Sequence, residues 1–451
     1  MKRLTEILIF ALCIALALTP AVSANSGPSW WEGTTASGLT VTGTQCPILV
    51  EQEQLTFELG QFPLEYYEDE SAFVDYDGTV TAAYTFRNPT AADVTMELLF
   101  PFGVAPQYAP TGRMLPHSYA VTVNGEPVET VLRHSLSWGE FDMAEDAAKL
   151  HDDFMVHPFY TPELPVTKYI YQPTGVEWGR LDVLRAKLRL DTDPDRTKYI
   201  LEPGNSYETA QDHALVGSAL RRGETVAVYV LGQVPEDPLE WTLYKGGEQI
   251  DGTMECVDTE QTTLKELLLS SWSADLGVSE IDWYHAAIDR MLRTECGYGY
   301  LEWSHLGDLP QSLMGWYQYE LTIPAGGTVV NTVTAPMYPD IHTGWDPPIY
   351  SYQYLLSPAK GWSDFGNLDI YVNTPFYMTQ CSQEGFGKTD EGYVLHLTGL
   401  PEGELEFVLS RDKNPAKPGS HGMGTGLVLA GIGVLLVLGL ARRWKKNKFF
   451  G

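Results

Sequence analysis

Thr79-Val80-Thr81-Ala82-Ala83-Tyr84-Thr85-Phe86, then Arg87-Asn88-Pro89-Thr90, then Val94-Thr95-Met96-Glu97-Leu98-Leu99-Phe100 is the stretch that decides the fold class. Its outer runs are rich in β-branched and aromatic residues and are separated by an Asn-Pro turn signal, so they read as strands. Just downstream, segments 119–123 and 128–132 flank Asn124-Gly125, the dipeptide that most readily supplies the positive φ angles of a tight hairpin. Similar runs recur at 186–190, 225–231, 241–244, 317–323, 329–333, 368–372 and 393–397, broken by Gly and Pro. Short strands at this spacing predict antiparallel β-sandwiches.

Two segments read differently. Segment 141–154 has helical spacing and many acids and alanines. Segment 279–294 is the stronger helix: Ser279 can cap it, Ile281, Tyr284, Ile288 and Met291 recur on one face, and Gly297 can end it. The leucine-rich run 264–269 fits a short helix or a buried strand equally well. The expected fold is mainly β: two antiparallel β-sandwich-like regions with one or two inserted helices and a C-terminal transmembrane helix. The expected division is 1–24 signal peptide, 25–255 N-terminal β-rich domain, 256–310 helical connecting region, 311–411 C-terminal β domain, 412–421 linker, 422–441 span and 442–451 basic tail.

The ends carry that topology. Lys2 and Arg3 precede an apolar run, 7–18, and Ala21-Val22-Ser23-Ala24 offers small residues for cleavage, which is signal-peptide grammar. Residues 422–441 are uncharged, and at ~1.5 Å per helical residue they reach across a hydrocarbon core of ~30 Å. Arg442, Arg443, Lys445, Lys446 and Lys448 follow, so the C-terminus is expected in the cytoplasm and the rest outside, a single-pass cell-membrane protein. The tail resembles those of sortase substrates, but the nearest sorting-like segment, Leu400-Pro401-Glu402-Gly403-Glu404, lacks the required threonine. A retained span is therefore expected, with the lipid bilayer as partner through 422–441. Gly422, Gly426 and Ala430 are four apart and offer a homodimer contact within that span.

From Tyr84-Thr85-Phe86-Arg87-Asn88-Pro89-Thr90 through Leu99-Phe100-Pro101-Phe102 the chain resembles the opening of vault/inter-alpha-trypsin (VIT-type) domains. There a strand ending in an Asn-Pro turn precedes one ending in a Phe-Pro pair. The Val121-Thr122-Val123-Asn124-Gly125-Glu126 hairpin sits in a similar position, giving a VIT-like region at about 75–135. The arrangement also resembles an uncharacterised family of secreted bacterial proteins that carries segments like Tyr352-Gln353-Tyr354-Leu355-Leu356-Ser357-Pro358-Ala359-Lys360-Gly361-Trp362. The resemblance implies a sandwich-like domain and extracellular exposure, and it carries no catalytic residues across. The Asp-x-Ser-x-Ser metal motif of the domain that often follows is absent.

Composition narrows the partners. With 59 Asp and Glu against 29 Lys and Arg, the net charge is −30. The two ends remove more basic residues than acids, so the part between them is more acidic still. Such a field repels nucleic acid. Cys46, Cys256, Cys296 and Cys381 remain after the signal. They allow three pairings, and both a single long-range bridge and free thiols fit their spacing. No Asn-x-Ser/Thr acceptor occurs, which fits a bacterial source.

Chemistry-bearing motifs are few. Nucleophile-elbow, zincin and phosphate-loop signatures are absent, and Ser357-Pro358-Ala359-Lys360 reads as a turn. Asp191, Asp193, Asp195 and Glu202 have the rough spacing of a calcium loop, though Arg196 stands where the turn glycine belongs. His151 and His157 lie six apart, a poor metal pair. Trp316, Trp345, Tyr350, Tyr352, Tyr354 and Trp362 are candidate ligand-stacking rings, and Tyr350, Tyr352 and Tyr354 alternate so that all three share one strand face. The expected function is a membrane-anchored extracellular protein with an acidic β-rich ectodomain that binds a surface protein or glycan or supports the envelope. No catalytic residue and no cofactor other than calcium is expected. The alternative is a carbohydrate-active envelope protein, binder or hydrolase.

Overall fold

The computed structural model describes residues 35–37, 39–41, 46–63, 76–103, 120–137, 143–155, 157–302 and 309–417. The expected signal, span and basic tail lie outside the described residues. Among the described residues no helix is long and apolar enough to cross a membrane. What they form is mainly β, arranged in five sheets.

The strands on either side of the Asn-Pro turn do not pair with each other. Thr79–Arg87 lies between Leu49–Glu58 and Thr328–Pro336, whereas Val94–Gly103 pairs with Leu313–Ile323 in another sheet. Asn88 makes that corner. It is fully buried, and its Nδ2 donates to the carbonyls of Ala92 and Ile323 at 2.8 and 2.9 Å. Its Oδ1 accepts from the Thr90 N–H and hydroxyl at 2.9 and 2.7 Å. With every hydrogen-bonding site of its amide used, the turn becomes an arch from one sheet to the next. A second arch, 324–327, lies alongside: the Asn88 N–H donates to Gly327 O and the Gly326 N–H to Thr90 O, both at 3.0 Å. The Ala325 N–H also donates to Asp93 Oδ1 at 2.9 Å.

These arches organise the body of the protein. Its eight-stranded sheet runs, in spatial order, Gly387–Lys388, Gly392–Thr398, Asp364–Asn373, Leu49–Glu58, Thr79–Arg87, Thr328–Pro336, Ala120–Val123 and Glu126–Pro127. Asn124 and Gly125, at φ 52° and 85°, form the expected tight turn between the last two strands. A five-stranded sheet built on Ile349–Leu355 and Leu405–Ser410, and the sheet of Val94–Gly103 and Leu313–Ile323, close the same core. Pairing is mostly antiparallel. Exceptions are Thr35–Ser37 with Ile349–Leu355, Asp364–Asn373 with Leu49–Glu58, and Thr197–Glu202 with Tyr300–Leu301.

Residues 157–302 form a separate stack of layers. Its central sheet contains Thr253–Thr263, Pro165–Thr174, Val226–Gly232, Thr197–Glu202 and Tyr300–Leu301. Tyr199, Leu201, Val226, Val228 and Val230 face an outer sheet of Ser206–Thr209, Ala214–Leu220, Leu184–Leu190, Trp241–Lys245 and Glu248–Gln249. Val166, Ile200, Tyr229 and Leu231 face the helices. The ambiguous run is helix α2, Leu264–Leu269, started by a Thr263/Glu266 capping box. Helix α3, Glu280–Thr294, has Ser279 as its N-cap, as read from the sequence. Burial of its Trp283, Tyr284, Ile288 and Met291 stabilises it by roughly 1.5–3 kcal/mol per large side chain.

Two expectations need correction. The helix read over 141–154 is only α1, Met143–Ala147. Its end tightens into turns in which the Asp146 and Ala147 carbonyls accept the Lys149 and Leu150 N–H groups at 3.3 and 3.1 Å, and further on Arg133 Nη2 donates to His151 O at 2.6 Å and His285 Nε2 lies 2.6 Å from Asp153 O. The linear division into 25–255, 256–310 and 311–411 is also cut across by the sheets. Strands before residue 137 pair with strands after 312 to make one body, because one edge of each arch strand is satisfied by a partner more than two hundred residues away.

Candidate functional site

The outer sheet carries a groove of about 450 Å3 lined by Val183, Arg185, Lys187, Ala219, Tyr244, Gly246 and Gly247. It follows from strand alternation. Leu184, Ala186, Leu188 and Leu190 are buried, so Arg185, Lys187 and Arg189 point to the opposite, solvent side. Register then sets the walls: Arg185 stands between Ala219 and Tyr244 on the neighbouring strands. Small Ala219 leaves a depression, and the Tyr244 ring rises beside it. Gly246 and Gly247, at φ 60° and 91°, turn the hairpin in a backbone conformation that a side chain would strain.

The cations here have different duties. Lys187 Nζ holds both Glu208 oxygens at 2.7 Å and sits 5.2 Å from the centre of the Tyr244 ring. Arg189 faces Asp191, Asp212 and Glu240. Lys245 is paired with Asp182 at 2.5 Å, and this contact with the Gly179 N–H keeps the Asp182 carboxyl below its usual range. Among the described residues no acid is paired with Arg185. The groove therefore presents one free guanidinium next to an aromatic face.

The sequence candidates lie elsewhere. Tyr350, Tyr352 and Tyr354 do share one strand face, but it is the buried one. Tyr350 stacks on Phe62 at 3.7 Å, Tyr352 on Phe407 at 5.2 Å, and Tyr354 meets Phe57 edge-on at 5.9 Å. Trp362 is buried against Phe86, its Nε1 donating to Leu39 O at 3.2 Å. Trp316 is buried with Leu99 and Met314 and donates to Ser135 Oγ at 2.8 Å. Only Trp345 is partly open, and it is not joined to the others. The other five rings are core.

The proposed calcium ligands do not converge either. Asp191 binds Arg189 at 3.1 Å. Asp193 folds its own turn, Oδ1 accepting the Asp195 N–H at 3.0 Å. Thr197–Glu202 then runs away from them at ~3.3 Å per residue, and Glu202 accepts the Tyr229 hydroxyl at 3.1 Å. No cluster of three or more metal-binding side chains occurs among the described residues. Asp193→Asn should therefore leave any effect of calcium on the melting temperature unchanged; loss of such an effect in the variant would reinstate the loop. His151 lies against His285, rings 4.8 Å apart, while His157 Nδ1 caps the Phe159 and Tyr160 N–H groups. Among the described residues Cys46, Cys256, Cys296 and Cys381 are free.

Sequence reading missed the groove. Its one visible signal was Arg185-x-Lys187-x-Arg189, a period of two that puts three cations on one strand face in an acidic chain. Tyr244 and Ala219 join them only through pairing.

No protein-family model matches the chain, and no curated protein matches it. A solved structure from Legionella pneumophila, provisionally described as a nutrient binding protein, is similar at 11% identity with a TM-score of 0.34. The match covers 84% of this chain and 71% of that one.

Proposed function

We propose that this is a membrane-anchored extracellular binding protein, held by residues 422–441, whose outer sheet takes a saccharide bearing a single carboxylate. The groove around Arg185 carries this reading. A guanidinium matches a carboxylate in a planar, two-point fashion, and the Tyr244 face can stack on a sugar ring. The charge of the chain limits how acidic that ligand is. At −30 overall the protein repels polyanions at long range, while one local cation compensates one negative charge. Binding rather than hydrolysis fits the neighbouring acids, because Glu208 and Asp182 are each tied to a lysine.

The test is saturation-transfer NMR on the full-length chain in mild detergent, with glucuronate and glucose as probes. Glucuronate should receive saturation, and glucose should bind at least about tenfold more weakly, the value of about 1.4 kcal/mol. Arg185→Ala should bring glucuronate down to the level of glucose, and Tyr244→Ala should weaken both. Equal binding of the two sugars, or an unchanged Arg185→Ala variant, would overturn the reading.

A further inference from the structure

Helix α3 has a second face that its apolar packing does not use. Asp282, His285 and Asp289 recur at three and four residues along it, one stripe down the helix. The stripe lies against the strand Val131–Leu136, with which α3 packs closely, and against segment 146–153. This is a seam between the body and the layered stack of 157–302.

The seam is polar, and its centre at Arg133, His134, Asp282 and His285 is buried. Arg133 Nε donates to Asp282 Oδ1 at 3.1 Å, Nη1 to Asp152 and Gln318 at 3.0 and 2.9 Å, and Nη2 to His151 O at 2.6 Å. The His134 N–H donates to Asp282 Oδ2 at 2.9 Å. His134 and His285 are buried, at 6% and 4% exposure, and His151 beside them is partly open. His285 Nε2 meets the Asp153 carbonyl at 2.6 Å, so Nε2 carries the proton and Nδ1 is bare. Neither His134 Nδ1 nor His285 Nδ1 has a hydrogen-bond partner.

We propose that this seam is a proton-operated joint: taking up protons at His134 and His285 parts α3 from the strand Val131–Leu136 while the two β cores stay folded. A second proton on either imidazole would make a second buried cation beside the permanent one on Arg133. Facing His134 are Asp282 from α3 and Arg133 from its own strand; facing His285 are Asp153, His151 and Arg133. Burial is the largest influence on both imidazoles and holds both below the ordinary value, His134 at about 4. Asp289 works the other way. It faces Lys149, Arg293, His151 and Asp146, and burial raises its carboxyl pKa, so acid favours the closed seam at that end. The joint is thus expected to open from the His134 end of α3.

Hydrogen exchange of the full-length chain in mild detergent, followed by mass spectrometry and corrected for the intrinsic pH dependence, tests this. At pH 5, about 1.5 below the ordinary imidazole value, His134 alone should raise the open population about thirtyfold over pH 8. Amides of Glu280–Thr294 and Val131–Leu136 should gain that exchange, and those of Leu49–Glu58 and Ala214–Leu220 should not. His134→Gln with His285→Gln should abolish the gain. A gain shared by all four segments, or one that survives the double substitution, overturns the proposal. So does a wild-type onset below pH 4.5, in the carboxylate range, and that result needs no variant.

Discussion

Glu53→Gln should make the protein more stable by about 3 kcal/mol at pH 8 and no more stable at pH 4, a difference set by about 2.5 pH units at ~1.36 kcal/mol each. Glu53 is completely buried in the body core, pointing inward with Leu55 and Phe57 from Leu49–Glu58. Neither carboxyl oxygen has a hydrogen-bond partner. The hydroxyls of Tyr84 and Tyr354, 3.4 Å from each other, lie nearest, and Tyr84 Oη accepts the Leu39 N–H at 3.0 Å. Burial pushes the Glu53 carboxyl up to about 7, and the two hydroxyls only temper it. The folded chain thus keeps its proton to about pH 7, whereas the unfolded chain releases it near the ordinary 4.5. Between those values the folded state binds more protons, so stability is full below 4.5 and falls as pH rises through 7. Glutamine keeps the shape and never ionises. Denaturant titrations of both proteins at pH 4 and pH 8 decide it, and an equal effect at the two pH values would sink the assignment.

His134 has the opposite sign. Its folded pKa is depressed from 6.5 to about 4, so its contribution is full above 6.5 and is lost as pH falls toward 4. The two groups offset each other across the acid range, and Glu53→Gln should also unmask a profile that climbs with pH.

The second large effect belongs to Asp282→Ala, expected to cost about 3–5 kcal/mol, the usual consequence of stranding one partner of a buried ion pair. Only 1% of the Asp282 side chain and 9% of that of Arg133 are exposed. Removing the carboxylate strips the Arg133 Nε–H and the His134 N–H of their acceptor in one step, and neither can reach water. Asp152 supplies the control. It also touches Arg133, at 3.0 Å, but is 92% exposed, so Asp152→Ala should cost less than about 1 kcal/mol. Urea midpoints at a constant slope measure both. Should Asp282→Ala be no worse than Asp152→Ala, the pair is not what holds α3 to the body.

Local chemistry was legible in the sequence where it acts locally. Ser279 capped its helix, Asn124-Gly125 made its turn, and the alternating tyrosines of 350–354 did share a face. That they face inward was not legible, since alternation fixes a side of the strand but not which side meets a second sheet. Arg87-Asn88-Pro89-Thr90 signalled a turn correctly. It could not tell a hairpin from an arch, because two of the bonds that decide it run to Ile323 and Gly327. Arg185 and Tyr244 are brought together by register alone. Nothing in the sequence sets Glu53 apart from the other acids, and only the sheet laid over it makes it a buried one.

The paired arches also set a timetable for folding. Asn88 waits for Ile323 and Gly327, more than two hundred residues further along the chain. As the chain emerges from its N-terminus, Thr79–Arg87 can pair at once with Leu49–Glu58, but its other edge and most of Val94–Gly103 lack partners until nearly three quarters of the chain has been made. The stack of 157–302 finds its strand partners within itself and can order first, drawing residues 137 and 312 toward each other and shortening the loop that the body must close. A defect in that stack would then leave an open edge of Thr79–Arg87 and most of Val94–Gly103 waiting unpaired, which makes the outer layers a guard against aggregation of the body.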